Sequence, residues 1–183
     1  VKTSAYNEAI NLSQLNSTSW ESQPALSADG QQLYFVRAFR SKESNELVQD
    51  IFISERNEAG LWMQPSRLSD VINTAGREEN PFLHSDGVSL YFASDGLPGM
   101  GGMDLYVSRK SEDGSWSTPE NLGYPINTSG DENSLQVFAD GRHAIFATDR
   151  EEPGNLDLWE FELPEAVSAN AVALWQGGVF DSK

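Results

Sequence analysis

Ser85-Asp86-Gly87-Val88-Ser89-Leu90-Tyr91-Phe92-Ala93-Ser94 reads as a tight turn feeding a β-strand. Asp-Gly favours the primed hairpin turns that match strand twist. The run behind it alternates, with Leu90 and Phe92 on one face and Ser89 and Tyr91 on the other. The same pair returns at Asp29-Gly30, ahead of Leu33-Tyr34-Phe35, and at Asp140-Gly141, ahead of Ala144-Ile145-Phe146, with spacings of 57 and 54 residues. Other markers keep step. Asp50-Ile51-Phe52-Ile53-Ser54 matches Asp104-Leu105-Tyr106-Val107-Ser108 and Asp157-Leu158-Trp159. Leu15-Asn16-Ser17 matches Ile72-Asn73-Thr74 and Ile126-Asn127-Thr128. Trp62 and Trp116 lie 54 apart, each soon followed by a proline.

Working outward, the middle unit holds four short strands. Residues 80–84 form the first and 88–94 the second. Residues 96–102, dense in Gly and Pro, form a loop. Residues 104–109 are the third strand, Asp113-Gly114 turns again, and 116–122 are the fourth. Pro119 interrupts that last strand, which fits an edge position lacking a full ladder. No long 3.6-residue period is present, so very little helix is expected. A four-stranded unit repeated in tandem predicts an all-β fold, a β-propeller of four-stranded antiparallel blades with three repeats present. The period is too long for a hexapeptide β-helix, and sandwiches do not repeat internally in this way. The expected divisions are 1–12, the outer strand of a preceding blade; 13–68, 69–122 and 123–164, the three repeats, the last without its outer strand; and 165–183, a linker and the start of a following β domain.

Composition narrows the partners. The 183 residues carry 28 acidic and 12 basic side chains, a formal charge of −16. Such a surface repels phosphate backbones, so nucleic acid is excluded, and acidic membrane surfaces are disfavoured. A cationic protein partner or a divalent metal would be attracted. There is no cysteine, hence no disulfide, thiol nucleophile or cysteine metal site. No apolar run approaches the roughly 18 residues of a membrane helix, so no direct membrane insertion is expected. Val1 to Ile10 lack a charged n-region and an apolar h-region; a signal peptide was removed or the chain does not begin at a native start.

The pattern Glu79-Asn80-Pro81, Ser85-Asp86-Gly87, Leu90 to Gly96, Gly101 to Ser108, then Trp116, Pro119 to Thr128 and Asp131-Glu132 resembles the PD40 or WD40-like repeat. It is similar in particular to the propellers of OmpA-family envelope proteins of Bacteroidota-type bacteria, some of them parts of type IX secretion machinery. The resemblance covers roughly Asn11 to Pro164. It implies a six-bladed, TolB-like propeller, of which this chain is half, in a periplasmic protein associated with the outer membrane or peptidoglycan. It also implies a following domain, for which the tail Ala171 to Lys183 looks like the opening strand.

The ends carry their own expectation. Tyr6 to Leu12 aligns with Trp62 to Leu68 at an offset of 56, and so reads as the outer strand of an otherwise missing blade. Either the chain is part of a longer propeller, or two copies meet as a homodimer and close a six-bladed ring.

Most repeated residues read as scaffold. Asp50, Asp104 and Asp157 are expected to bond turn N–H groups or a nearby arginine, such as Arg150 with Asp157. Trp62 and Trp116 are expected between blades, whereas Trp20 breaks their register and reads as an exposed aromatic. His84 and His143 occupy different repeat positions and form no shared ligand set. Ser111 to Trp116 resembles a sialidase Asp-box but is shorter, and reads as a hairpin turn. Gly99-Met100-Gly101-Gly102 precedes a strand, so it lacks the helix start of a phosphate loop. The binding expectation rests on Glu21, Glu79, Asn80, Asp131, Glu132 and Asn133, placed at one mouth of the central channel by the innermost strands. No cofactor is expected, although carboxylates converging there would suit Ca²⁺. The function expected is a non-catalytic, protein-binding scaffold segment of the cell envelope, not an enzyme. The alternative is a carbohydrate-active propeller enzyme, a glycosidase or polysaccharide lyase, or a carbohydrate-binding module, and fold alone does not decide between them.

Overall fold

Each Asp-Gly pair builds a tight turn because its aspartate satisfies the N–H groups that the turn frees. Asp86 Oδ1 accepts from Val88 N–H at 3.0 Å and Ser89 N–H at 2.9 Å, while Gly87 supplies the left-handed φ of 74°. Asp29 and Asp140 accept from Gln31 and from Arg142 and His143 in the same way. These turns join the strands of a computed structural model that describes residues 8–42 and 45–173.

The fold is all-β and antiparallel. Strands β1 (Trp20–Leu26), β2 (Gln32–Arg40), β3 (Leu47–Glu55) and β4 (Ser66–Arg67) form one sheet in chain order. Strands β5 (Glu78–Leu83), β6 (Ser89–Ser94), β7 (Asp104–Arg109) and β8 (Glu120–Asn121) form a second. Strands β9 (Glu132–Val137), β10 (His143–Thr148) and β11 (Asp157–Glu162) form a third. The only helical element among the described residues is one 3₁₀ turn, Glu165–Val167. The fourth strand of the middle unit, read from sequence as 116–122, contracts to two residues. Trp116 reaches back to Lys110 only as an isolated bridge, and Pro119, which has no N–H, parts the two contacts.

Strand alternation stacks the sheets in chain order. Every residue of β6 is buried, so this strand has core on both faces. Leu90 and Phe92 meet Tyr34, Val36 and Ile51 of the first sheet. Tyr91 and Ala93 meet Leu135, Ala144 and Phe146 of the third. Trp116 stands edge-on to Tyr34, ring centroids 6.4 Å apart, between the first two sheets. A smaller cluster of Leu15, Leu33 and Phe35 covers the remaining face of the first sheet.

The loop after the short fourth strand is tied back by its asparagine. Asn73, buried, accepts Ile51 N–H at 2.7 Å and donates to Ile51 O and Leu68 O, both at 3.0 Å. Asn127 repeats this on Leu105 N–H and Leu105 O, both at 2.9 Å. The recurring Ile-Asn-Thr of the sequence is therefore a lock on the third strand of each complete sheet.

At the ends, Tyr6 and Asn7 lie outside the described residues, and residues 8–12 form no strand. Residues 174–183 of the tail also lie outside. Residues 163–173 run back over the second and third sheets. Leu163, Val167 and Ala169 are buried there, and the Tyr91 hydroxyl donates to Val167 O at 2.8 Å.

Candidate functional site

The three first strands, β1, β5 and β9, lie side by side, and each carries a bulge at the same repeat position. Gln23, Asn80 and Ser134 adopt left-handed φ values of 53°, 51° and 56°. Strand pairing slips at each of these points. Side chains join the bulges across the sheets. Asn80 N–H donates to Gln23 Oε1 at 2.7 Å, and Ser134 Oγ donates to Asn80 Oδ1 at 3.3 Å. A left-handed non-glycine residue costs on the order of 1 kcal/mol or more, and such strain gathers where side chains must be aimed. Here it aims a row of amide and hydroxyl groups out of the first strands. Glu79 and Asn133, half-buried, flank the row, and Glu79 lies 3.7 Å from Arg77.

The structure divides the six expected binding residues. Asn80 sits in the row, with Glu79 and Asn133 beside it. Asp131 is exposed as a residue, and its carboxylate accepts Met103 N–H at 2.8 Å. Glu132 is a correction: it is completely buried and unavailable to a partner. Its Oε1 accepts Thr128 Oγ1 at 2.6 Å and Thr148 Oγ1 at 2.8 Å, and its Oε2 accepts Thr128 N–H at 3.0 Å. Glu21 is half-buried, and its carboxylate is already engaged. Ser17 donates to it through both N–H and hydroxyl, and Arg37 Nε donates at 2.7 Å. The equivalent residue in the middle sheet is Glu78, fully buried and bonded to Thr74 and Ser94. The true repeat set is thus Glu21, Glu78 and Glu132, each closing the turn begun by Ser17, Thr74 or Thr128. The spacing of 57 and 54 shared with the Asp-Gly turns identifies Glu78, and places Asn133, not Glu132, opposite Glu79. Gln23 and Ser134 had no signal beyond that same register.

Environment separates Glu21 from Glu78. Burial pushes Glu21 up, but the bonds from Ser17 and Arg37 outweigh it and hold the carboxyl below its ordinary 4.5. Burial dominates at Glu78 and raises it, against the pull of Thr74 and Ser94.

Other expected roles sort as follows. Asp104 caps the glycine loop by accepting Met100 N–H at 2.7 Å and Gly101 N–H at 3.2 Å. Asp50 pairs with Arg67 at 2.6 Å. The expected Arg150–Asp157 pair is corrected: Asp157 is exposed, and Arg150 donates to Pro125 O and Ile126 O while lying over Phe146 and Trp159. His84 is buried and bonded to Phe138 O at 2.9 Å, whereas His143 is exposed beside Asp140 at 2.5 Å. Trp20 is 61% exposed. Among the described residues no group of three or more His, Asp or Glu side chains is arranged to hold a metal ion.

No known protein family matches the sequence, and no curated protein does. Among solved structures, the chain is similar to a puromycin-hydrolyzing peptidase from Mycobacterium tuberculosis, with a TM-score of 0.54 and 15% identity. The match covers 88% of this chain and 24% of the peptidase chain, so the chain spans about a quarter of that protein's length. The likeness is one of fold. It also corrects the expectation that the chain is not an enzyme, because this all-β arrangement occurs within a hydrolase.

Proposed function

We propose that the chain is a three-blade run of a six-bladed, TolB-like propeller of the PD40 kind. In this reading it is a protein-interaction module of a periplasmic protein held at the outer membrane or peptidoglycan. Three antiparallel sheets stacked in chain order, each begun by the same bonded glutamate and two of them locked by the same asparagine, support the blade reading. The motifs from Asn11 to Pro164 support the envelope setting.

The observation that carries the binding role is the bulged row Gln23–Asn80–Ser134. Left-handed bulges at one repeat position, with Gln23 and Asn80 half-buried and Ser134 exposed, support a surface that grips a partner's peptide groups. With −16 of formal charge behind it, the row favours a partner segment carrying Lys or Arg.

The test places a photo-crosslinking residue at Ser134 in the full-length protein within its native envelope, and at Glu112, an exposed hairpin turn, as control. One discrete partner should couple from position 134 and not from 112. Asn80→Lys with Glu79→Lys should reduce that coupling at least tenfold. Coupling that survives the double substitution would remove the row from the binding surface.

A further inference from the structure

The first two sheets end in a short fourth strand, and the third sheet has none among the described residues. In the complete sheets that strand follows one rule. Ser66–Arg67 pair opposite Ile53 and Phe52, and Glu120–Asn121 pair opposite Val107 and Tyr106. The repeat places Glu160 and Trp159 of β11 at the same positions, and among the described residues β11 is an edge strand of its sheet. Beside that edge opens a cavity of about 250 Å³ lined by Pro125, Ile126, Phe146, Arg150, Trp159 and Phe161. Leu158 marks what is missing. Its counterparts Ile51 and Leu105 are 0% exposed, whereas Leu158 is 79% exposed.

One segment of the sequence fits the vacant strand. Tyr6-Asn7-Glu8-Ala9-Ile10-Asn11-Leu12 stands in register with Trp62 to Leu68 and Trp116 to Leu122. Ile10 and Asn11 thus correspond to the two residues that pair in β4 and in β8. Ile10 is 83% exposed and Leu12 is 40% exposed, while Leu68 and Leu122, the counterparts of Leu12, are 6% and 4% exposed. The lock is present too. Asn16 corresponds to Asn73 and Asn127, and it donates to Asn11 as Asn127 donates to Asn121. Among the described residues Asn16 makes no bond to a third strand, whereas Asn73 and Asn127 do. The chain's own segment is on the wrong side of the molecule for its own β11. It is anchored by Leu15 on the face of the first sheet turned away from the second, with the whole stack in between at about 10 Å per sheet.

We propose that a second copy of this chain completes the third sheet. Ile10 and Asn11 of each copy pair with Glu160 and Trp159 of the other, Asn16 clamps the N–H and C=O of Leu158, and Leu158 becomes buried. The contact is reciprocal about a two-fold axis. It joins three sheets to three in a ring of six, within the range of closed propellers. The inference rests on the blade reading above, but not on the partner of the first-strand row.

The absence of cysteine makes the test clean. Light scattering across a concentration series should give twice the 20.2 kDa chain mass. The Ile10→Cys, Glu160→Cys double variant should form a disulfide-linked dimer on mild oxidation, whereas Ile10→Cys with Glu112→Cys should not. Asn16→Ala and Leu158→Asp, both at exposed positions, should each weaken association at least tenfold with an unchanged circular dichroism spectrum. A single-chain mass at every concentration overturns the pairing and assigns the edge to some other strand. So does a dimer whose thiols at 10 and 160 fail to couple, or one indifferent to Asn16→Ala. Any of these leaves crosslinking from Ser134 unaffected, so the two readings fail separately.

Discussion

Replacing Asn73 by alanine removes three bonds from a site that water does not reach. Ile51 is 0% exposed, so its N–H is orphaned, at a cost of about 1–3 kcal/mol. The other two losses are milder, because the carbonyls keep partners. Ile51 O still receives Leu68 N–H at 3.0 Å, and Leu68 O still faces Arg67 Nη1 at 3.4 Å. Each of those bonds is worth about 0.5–1 kcal/mol net. The sum is about 3 kcal/mol, or roughly 6–12 °C in melting temperature for a domain of this size. Asn127→Ala should cost about the same, since it orphans Leu105 N–H while Leu105 O keeps Leu122 N–H. Asn16→Ala should cost the separated monomer under about 0.5 kcal/mol, because Asn16 is exposed and among the described residues its side chain bonds only Asn11. Urea unfolding followed by tryptophan fluorescence measures all three. Losses below about 1 kcal/mol for both buried asparagines would show that they do not lock the sheets.

Gly101→Ala should destabilise by about 1–3 kcal/mol in the same assay, since the new Cβ would stand 2.4–2.7 Å from backbone atoms of Thr128, Ser129 and Gly130. Carboxyl-detected NMR should find Glu78 titrating above 4.5 and Glu21 below it. The linkage follows with opposite signs. The contribution of Glu78 is full below 4.5 and declines as pH rises through its raised folded value; that of Glu21 is present above 4.5 and is lost as pH falls through its lowered one. His143 should titrate above 6.5, and Asp140 at about 2, each held there by the bond between them. Asp140→Asn should lower His143 toward its ordinary value, with Glu162 and Glu160 still raising it, and an unmoved histidine would show that the pair does not form in solution.

Much of the fold was legible because it is local and repeated. Asp-Gly fixes a turn by its own φ preference and an aspartate oxygen two residues away, so Asp29, Asp86 and Asp140 mark their hairpins without help. The period of two in Ser89-Leu90-Tyr91-Phe92 gives a strand and says which residues share a face, and the proline after each tryptophan marks a short outer edge. The row of bulges was legible only in part. Asn80, Glu79 and Asn133 stand out as polar residues at the starts of first strands, but nothing in Gln23 or Ser134 announces a left-handed bulge.

What the sequence determined alone is the repeat: three all-β units, their turns, and which face of each strand is apolar. Those follow from backbone preferences and two-residue periodicity, which act between near neighbours. Only the tertiary structure decided which acidic side chains are free. Glu21, Glu78, Glu79 and Glu132 are alike as letters. Their fates depend on whether a Ser, Thr or Arg from a neighbouring strand arrives to compensate the loss of water. A carboxylate goes inside only when partners some 4 to 16 residues away converge on it, and that convergence is set by packing.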